Sequence, residues 1–321
     1  MKTLGRLLLG LVVLGAALGV TFYLRPLWVQ LQATHLGLFL DRVQSNYVLT
    51  PEGRVHYYEA EPAVTGGGTP LVLVHGLGDR AESWAPMLVR MKQAGFHVYA
   101  LDLLGYGRSP KPGDSDYSIA TQEKLVVDFI QALGLQRPDL GGWSMGGWIA
   151  LRLALDHPDL VDRVAVYDSA GIRRQVGGGP GVFHPTTEAD MQRLADLLEP
   201  HGRPLPEFVL RDALRKFAGQ QWVVDRGMQS MQTGRDLLDD RLPGLTEPLL
   251  IVWGADDRLL PVEVAQRLQA LDPRAELDVV EGCGHLAPKD PGCDDRVAAA
   301  TAAFLHTNPA PVGGMRTLGT N

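Results

Sequence analysis

The chain has 321 residues, 45% hydrophobic and 21% charged, with 30 Lys and Arg against 37 Asp and Glu. The apolar fraction excludes a disordered chain, and a formal charge of −7 leaves nucleic-acid binding without electrostatic footing. Two cysteines, Cys283 and Cys293, are too few for a disulfide-stapled scaffold or a four-cysteine zinc site.

At the N-terminus, Leu7 to Leu24 are 18 consecutive uncharged residues between Arg6 and Arg25. As a helix they would reach roughly 27 Å, close to the thickness of a hydrocarbon core. The length, and the lack of a small-residue cleavage site after the run, favour an uncleaved anchor over a cleaved signal peptide. Leu27 to Leu40 then reads as an amphipathic helix with Trp28 and Phe39 at the lipid interface. Residues 1–40 are therefore expected to be a single-pass membrane anchor with an interfacial helix. The flanking Lys2 and Arg6 place the body on the non-cytoplasmic side, periplasmic if the cell is bacterial.

From Asp41 onward, short apolar runs alternate with helical patterns, which predicts an α/β fold with a mostly parallel central sheet flanked by helices. Tyr47–Thr50 and Val55–Tyr58 read as a hairpin, followed by a glycine-rich loop over Glu61–Thr69. Buried strands are predicted at Leu71–His75, Val98–Asp102, Leu140–Trp143, Val164–Asp168, Leu249–Trp253 and Leu277–Val280. Helices include Ile119–Leu133 and Met145–His157. Residues 172–247 are too long for a simple crossover and contain helical patterns at Ala189–Leu198 and Phe208–Phe217, so they predict a helical cap over one end of the sheet. The core is then residues 41–171 and 248–308, with 309–321 a flexible tail.

The sharpest chemical signal is Gly142-Trp-Ser-Met-Gly-Gly147, which ends a strand and opens a helix. A serine in so tight a turn sits in a strained conformation, and its neighbours must lack bulk. Ser144 is thereby presented as a nucleophile at the carboxyl end of a central strand. A hydroxyl needs a base, and His285 is placed for it, in a loop after the last predicted strand. The third member must orient the imidazole and stabilise its cation. Asp257 ranks first for that role, then its neighbour Asp256, then Asp168. The amides of Met145 and Leu77 are the expected oxyanion donors. His75 reads as a hydrogen bonder that orders its loop. Cys283 and Cys293 flank His285 and could either pair to brace its loop or stand as two small core thiols. No cofactor is implied, and Cys283 with His285 lacks the further ligands a metal would need.

The His75-Gly loop, Asp102-Leu-Leu-Gly-Tyr-Gly-Arg-Ser109, the Ser144 elbow, the Asp257 loop and Gly284-His285 occur in the order found in the α/β-hydrolase superfamily, which residues 47–306 resemble. The resemblance implies the α/β-hydrolase fold and a Ser-His-Asp triad, with Asp102–Ser109 a structural loop. The anchor, the Ser-Met-Gly-Gly elbow and Asp168-Ser-Ala-Gly-Ile172 look like membrane-anchored monoacylglycerol lipases and bacterial esterases. A lipid or small-molecule ester is the implied substrate. Meta-cleavage-product hydrolases share the elbow, which keeps carbon–carbon bond hydrolysis open, and a non-catalytic module that senses a small apolar ligand is the alternative of another class. Phe208, Val209, Leu210, Phe217, Trp222, Val223 and Val224 are candidates for an acyl tunnel or simply for cap core.

Overall fold

A computed structural model describes residues 2–63, 66–174, 176–179 and 181–319; the side chains of residues 2–9 and 14 lie outside that description. Two helices open the chain, α1 (Lys2–Leu24) and α2 (Pro26–Leu40). Pro26 has no N–H to continue the first helix, and the chain bends there. The expected span at Leu7–Leu24 falls within α1 but partly outside the described side chains. Among the described residues no single helix is long and apolar enough to cross a membrane, although Gly10–Leu24 and Pro26–Leu40 are so together, with a bend of 108° between them. Trp28 and Phe39 are both exposed.

The described residues form one sheet of nine strands: β1 (Gln44–Thr50), β2 (Gly53–Ala60), β3 (Thr69–Val74), β4 (Phe96–Leu101), β5 (Asp139–Trp143), β6 (Val164–Tyr167), β7 (Leu249–Gly254), β8 (Glu276–Val280) and β9 (Met315–Leu318). Their spatial order is β1-β2-β4-β3-β5-β6-β7-β8-β9. The β1–β2 hairpin is antiparallel and β2 pairs antiparallel with β4, whereas β3 to β9 are joined by parallel ladders. Leu71 to Val74 and Leu250 to Trp253 are wholly inaccessible, because helices cover both faces. The helices α4 (Ile119–Ala132), α5 (Met145–Asp156) and α9 (Glu263–Leu271) share one apolar cluster with the sheet. On the opposite face α3 (Ala85–Gln93) and α10 (Asp294–His306) form the other.

Between β6 and β7 lie the three cap helices α6 (Glu188–Leu198), α7 (Glu207–Ala218) and α8 (Gln221–Gln232). Thr187 starts α6 with a reciprocal capping box to Asp190. The N-terminal helices lean on the cap: Phe22 and Tyr23 meet Phe208 at 5.8 and 5.3 Å between ring centres, and the Leu27 amide donates to Asp212 at 3.1 Å.

One expectation is corrected. Residues 309–321 do not form a flexible tail throughout, since Met315–Leu318 adds to the sheet edge as β9. The reason is a charge lock: Arg316 donates to both carboxylate oxygens of Asp278, at 2.8 and 2.6 Å.

Candidate active site

Ser144 sits at the junction of β5 and α5 with φ +55° and ψ −115°, a backbone conformation that costs energy for a residue with a Cβ. Its N–H donates to the Tyr167 carbonyl at 2.9 Å, which ties the turn to β6. The glycines around it answer a packing demand. A Cβ on Gly146 would lie 2.1 Å from the Val74 carbonyl oxygen, and one on Gly142 would lie 2.3 Å from that of Gly146.

Three side chains from different elements meet here. His285 Nε2 lies 3.0 Å from Ser144 Oγ, and its Nδ1 lies 2.7 Å from Asp257 Oδ2. With Nδ1–H donating to the carboxylate, Nε2 is left as the acceptor for the serine hydroxyl proton. The imidazole and carboxylate are buried, while Ser144 keeps partial exposure towards a cavity. Asp257 is held by its other oxygen, which accepts from the amides of Leu259 and Leu260, both at 2.8 Å. His285 is held from behind, because the Trp143 indole N–H donates to its carbonyl at 2.6 Å.

The two alternative carboxylates go elsewhere. Asp256 points to the surface and pairs with His201 at 2.7 Å. Asp168 lies near Asp257 but spends Oδ1 on the Gly254 amide at 2.8 Å and leaves Oδ2 buried without a partner. Burial pushes its carboxyl well above the usual range, and the Asp257 charge adds to that.

Leu77, in the loop after β3, and Met145, first residue of α5, line the same cavity as Ser144. The Met145 amide belongs to the first turn of α5, where backbone N–H groups have no helical acceptor. His75 orders the adjoining loop: its Nδ1–H donates to Gly76 O at 2.8 Å, and its Nε2 accepts from the Leu103 amide at 3.0 Å. Burial pulls its pKa down, which suits the neutral ring this pattern requires. Asp102 performs a like service, accepting from the amides of Ala81 and Arg108 and pairing with His56 at 2.7 Å.

An ion pair without a sequence motif spans the site. Lys289, four residues past His285, bonds Asp79, two residues past Leu77. Burial pulls the ammonium pKa down, and burial alone would raise Asp79, yet Lys289 beside it holds that carboxyl below its usual value. Cys283 and Cys293 form a disulfide that closes the His285 loop.

The cavity at Ser144 has a volume of about 260 Å³ and is walled chiefly by apolar side chains, among them Trp148, Ile172, Phe183, Met228, Met231 and Leu260. A second cavity of about 630 Å³, lined by the segment before α6 and by α8, shares Val176, Phe183, Met228 and Gln232 with it. None of the seven residues weighed as acyl tunnel or cap core is in the wall of the Ser144 cavity, and Leu210 packs in the small cluster of the cap, as the core reading expects. Phe208 faces α1 instead, and Val223 and Val224 are buried in the main core. The methionines of α8 carry no motif, so only the helix's placement reveals their role. Among the described residues no three His, Cys, Asp or Glu side chains cluster so as to hold a metal.

Residues 71–300 match the model of the family described as alpha/beta hydrolase. A 2-hydroxymuconate semialdehyde hydrolase of Pseudomonas putida is 31% identical over 231 residues, which covers 68% of this chain and 82% of the relative. Among solved structures, a bacterial membrane phospholipase A superposes with a TM-score of 0.77 at 28% identity, covering 95% of this chain and 98% of that one. Naproxen esterase of Bacillus subtilis, at 19% identity, has a TM-score of 0.68 over 86% of this chain and 96% of its own, a likeness of fold.

Proposed function

The chain belongs to the alpha/beta hydrolase family, and we propose that it is a serine hydrolase of carboxylic esters, with monoacylglycerols or other acyl-ester lipids as substrates. The observation that carries this reading is the unbroken relay Asp257–His285–Ser144, opening at its serine end into a mostly apolar cavity. In the proposed cycle His285 takes the Ser144 proton as the oxygen attacks the ester carbonyl, and Asp257 stabilises the imidazolium. The amides of Leu77 and Met145 receive the negative oxygen, a service worth about 10²–10³ in rate per donor. His285 returns the proton to the departing alcohol, then activates the water that releases the acid.

The phospholipase likeness and the apolar Gly10–Leu24 run support a membrane tether through residues 7–24. The disulfide supports placing the body in an oxidising, non-cytoplasmic compartment. Protease digestion of intact and opened cells tests that: a body cleaved only after opening the cytoplasm refutes it.

The Pseudomonas relative favours one second reading, hydrolysis of a carbon–carbon bond in a vinylogous diketone by the same triad. An ester panel from C2 to C18, with simple and glyceryl alcohols, run beside such a diketone separates the two. Ser144→Ala should retain its fold and lose roughly 10⁴-fold or more of ester turnover. Wild-type rates in that variant, or turnover of the diketone alone, would overturn the ester reading.

A further inference from the structure

Arg174 enters the Ser144 cavity from the segment that follows β6. Its Nη1 donates to the Ile172 carbonyl at 3.1 Å, and its guanidinium carbon lies 5.9 Å from the centre of the Trp148 ring. Its Nε is buried and, among the described residues, bonds nothing. The carboxylate that acts on it is Asp239, whose oxygens already accept from the Arg173 amide at 2.8 Å and from Arg267 at 3.2 Å. By contrast another partly buried guanidinium, that of Arg152, bonds Glu123 at 2.5 Å and Asp236 at 2.6 Å. Burial lowers the Arg174 pKa to about 10, so the group remains a cation at neutral pH.

A largely desolvated cation that no carboxylate hydrogen-bonds is costly, and an apolar acyl chain would leave it so. A guanidinium presents its donors in a planar fork that matches two oxygens of a carboxylate or a phosphate. We propose that Arg174 is a specificity residue that receives an oxyanion group, carboxylate or phosphate diester, on the ester substrate whose carbonyl is presented to Ser144. This assignment rests on the ester-hydrolase reading and narrows it: among acyl esters, those carrying an anionic oxyacid group are preferred over neutral ones of the same length.

The test compares kcat/KM within matched pairs on the full-length protein in neutral detergent. One pair is mono(4-nitrophenyl) adipate against 4-nitrophenyl hexanoate; the other is a lysophosphatidylglycerol against the monoacylglycerol with the same acyl chain. The wild type should favour the anionic member of at least one pair by more than about tenfold, and the pair that shows it identifies carboxylate or phosphate as the group received. Arg174→Gln should cut that ratio by about 10- to 100-fold, the scale of a lost charge-assisted hydrogen bond, mainly through KM, and Arg174→Lys should keep part of it. A merely structural role would lower both members of a pair together. Wild-type ratios near one in both pairs, or a ratio that survives Arg174→Gln, overturn the proposal while leaving ester hydrolysis intact. Should the Gln variant not fold, the wild-type ratios and the Lys variant decide. Wild type that hydrolyses none of the four substrates instead refutes the ester reading itself.

Discussion

The ammonium nitrogen of Lys289 sits 3.3 Å from the centre of the Trp143 ring. Trp143 immediately precedes Ser144 and holds the His285 carbonyl, and Lys289 also bonds Asp79 beyond the Leu77 loop. One cation thus joins the elbow, the histidine loop and the expected oxyanion loop. Removing it leaves a largely desolvated Asp79, so Lys289→Met should destabilise the fold by about 3 kcal/mol. It should also lower kcat/KM by roughly tenfold through misplaced loops. Asp79→Asn combined with Lys289→Met should cost clearly less than the two singles summed, as read by denaturant unfolding. Strict additivity would mean that the pair does not act as a unit.

Adjacent aspartates should behave very differently. Asp257→Asn leaves His285 without the anion that sets its tautomer, and kcat should fall by about 10³–10⁴ at neutral pH. Asp256→Asn removes only an exposed pair with His201 and should change kcat/KM by no more than about twofold. Steady-state rates on one soluble ester check both, and equal losses would remove Asp257 from the relay.

The Cys283–Cys293 bridge closes a short loop that contains His285. By loop-closure entropy such a link is worth about 3 kcal/mol, so a Cys283→Ala/Cys293→Ala variant should melt several degrees lower. Turnover should fall several-fold below the melting range as the imidazole loses its brace. Thermal unfolding and rates with and without a reductant check this on the wild type as well.

Asp139, at the start of β5, titrates against stability. Burial raises its pKa from 3.8 to about 7, and Oδ1 has no partner. The folded state therefore holds this proton more tightly than the unfolded chain does. Between about pH 4 and pH 7 the folded form binds more protons, so its contribution to stability declines as pH rises and stays low above 7. Asp139→Asn should flatten that decline and stabilise the protein at pH 8 by on the order of 1–3 kcal/mol, with little effect at pH 4. Unfolding curves across that pH range read the difference, and parallel wild-type and variant profiles would refute it.

Local pattern carried much of this molecule. Continuous apolar runs such as Leu71–Val74 announce strands covered on both faces, because nothing else tolerates them in a parallel sheet. The glycines around Ser144 are legible because a sharp strand-to-helix turn leaves no room for side chains, a constraint confined to six consecutive residues. His285 could be singled out by its place after the last predicted strand.

Features whose cause lies within a few residues were readable from the chain alone: the strands, the elbow, the cap as an over-long connection and the apolar N-terminus. Tertiary structure alone decided between Asp257 and Asp256, since neighbours in a loop diverge in direction and spacing does not record which one turns inward. It alone brought Lys289 onto Trp143, put Met228 and Met231 in the cavity wall, set Arg174 there with its Nε unbonded among the described residues, and recruited Met315–Leu318 to the sheet edge. Each of these depends on two segments far apart in the chain meeting at a distance of a few ångströms. No local periodicity encodes such a meeting; it follows only once the sheet order and the packing of the helices fix where each segment lies.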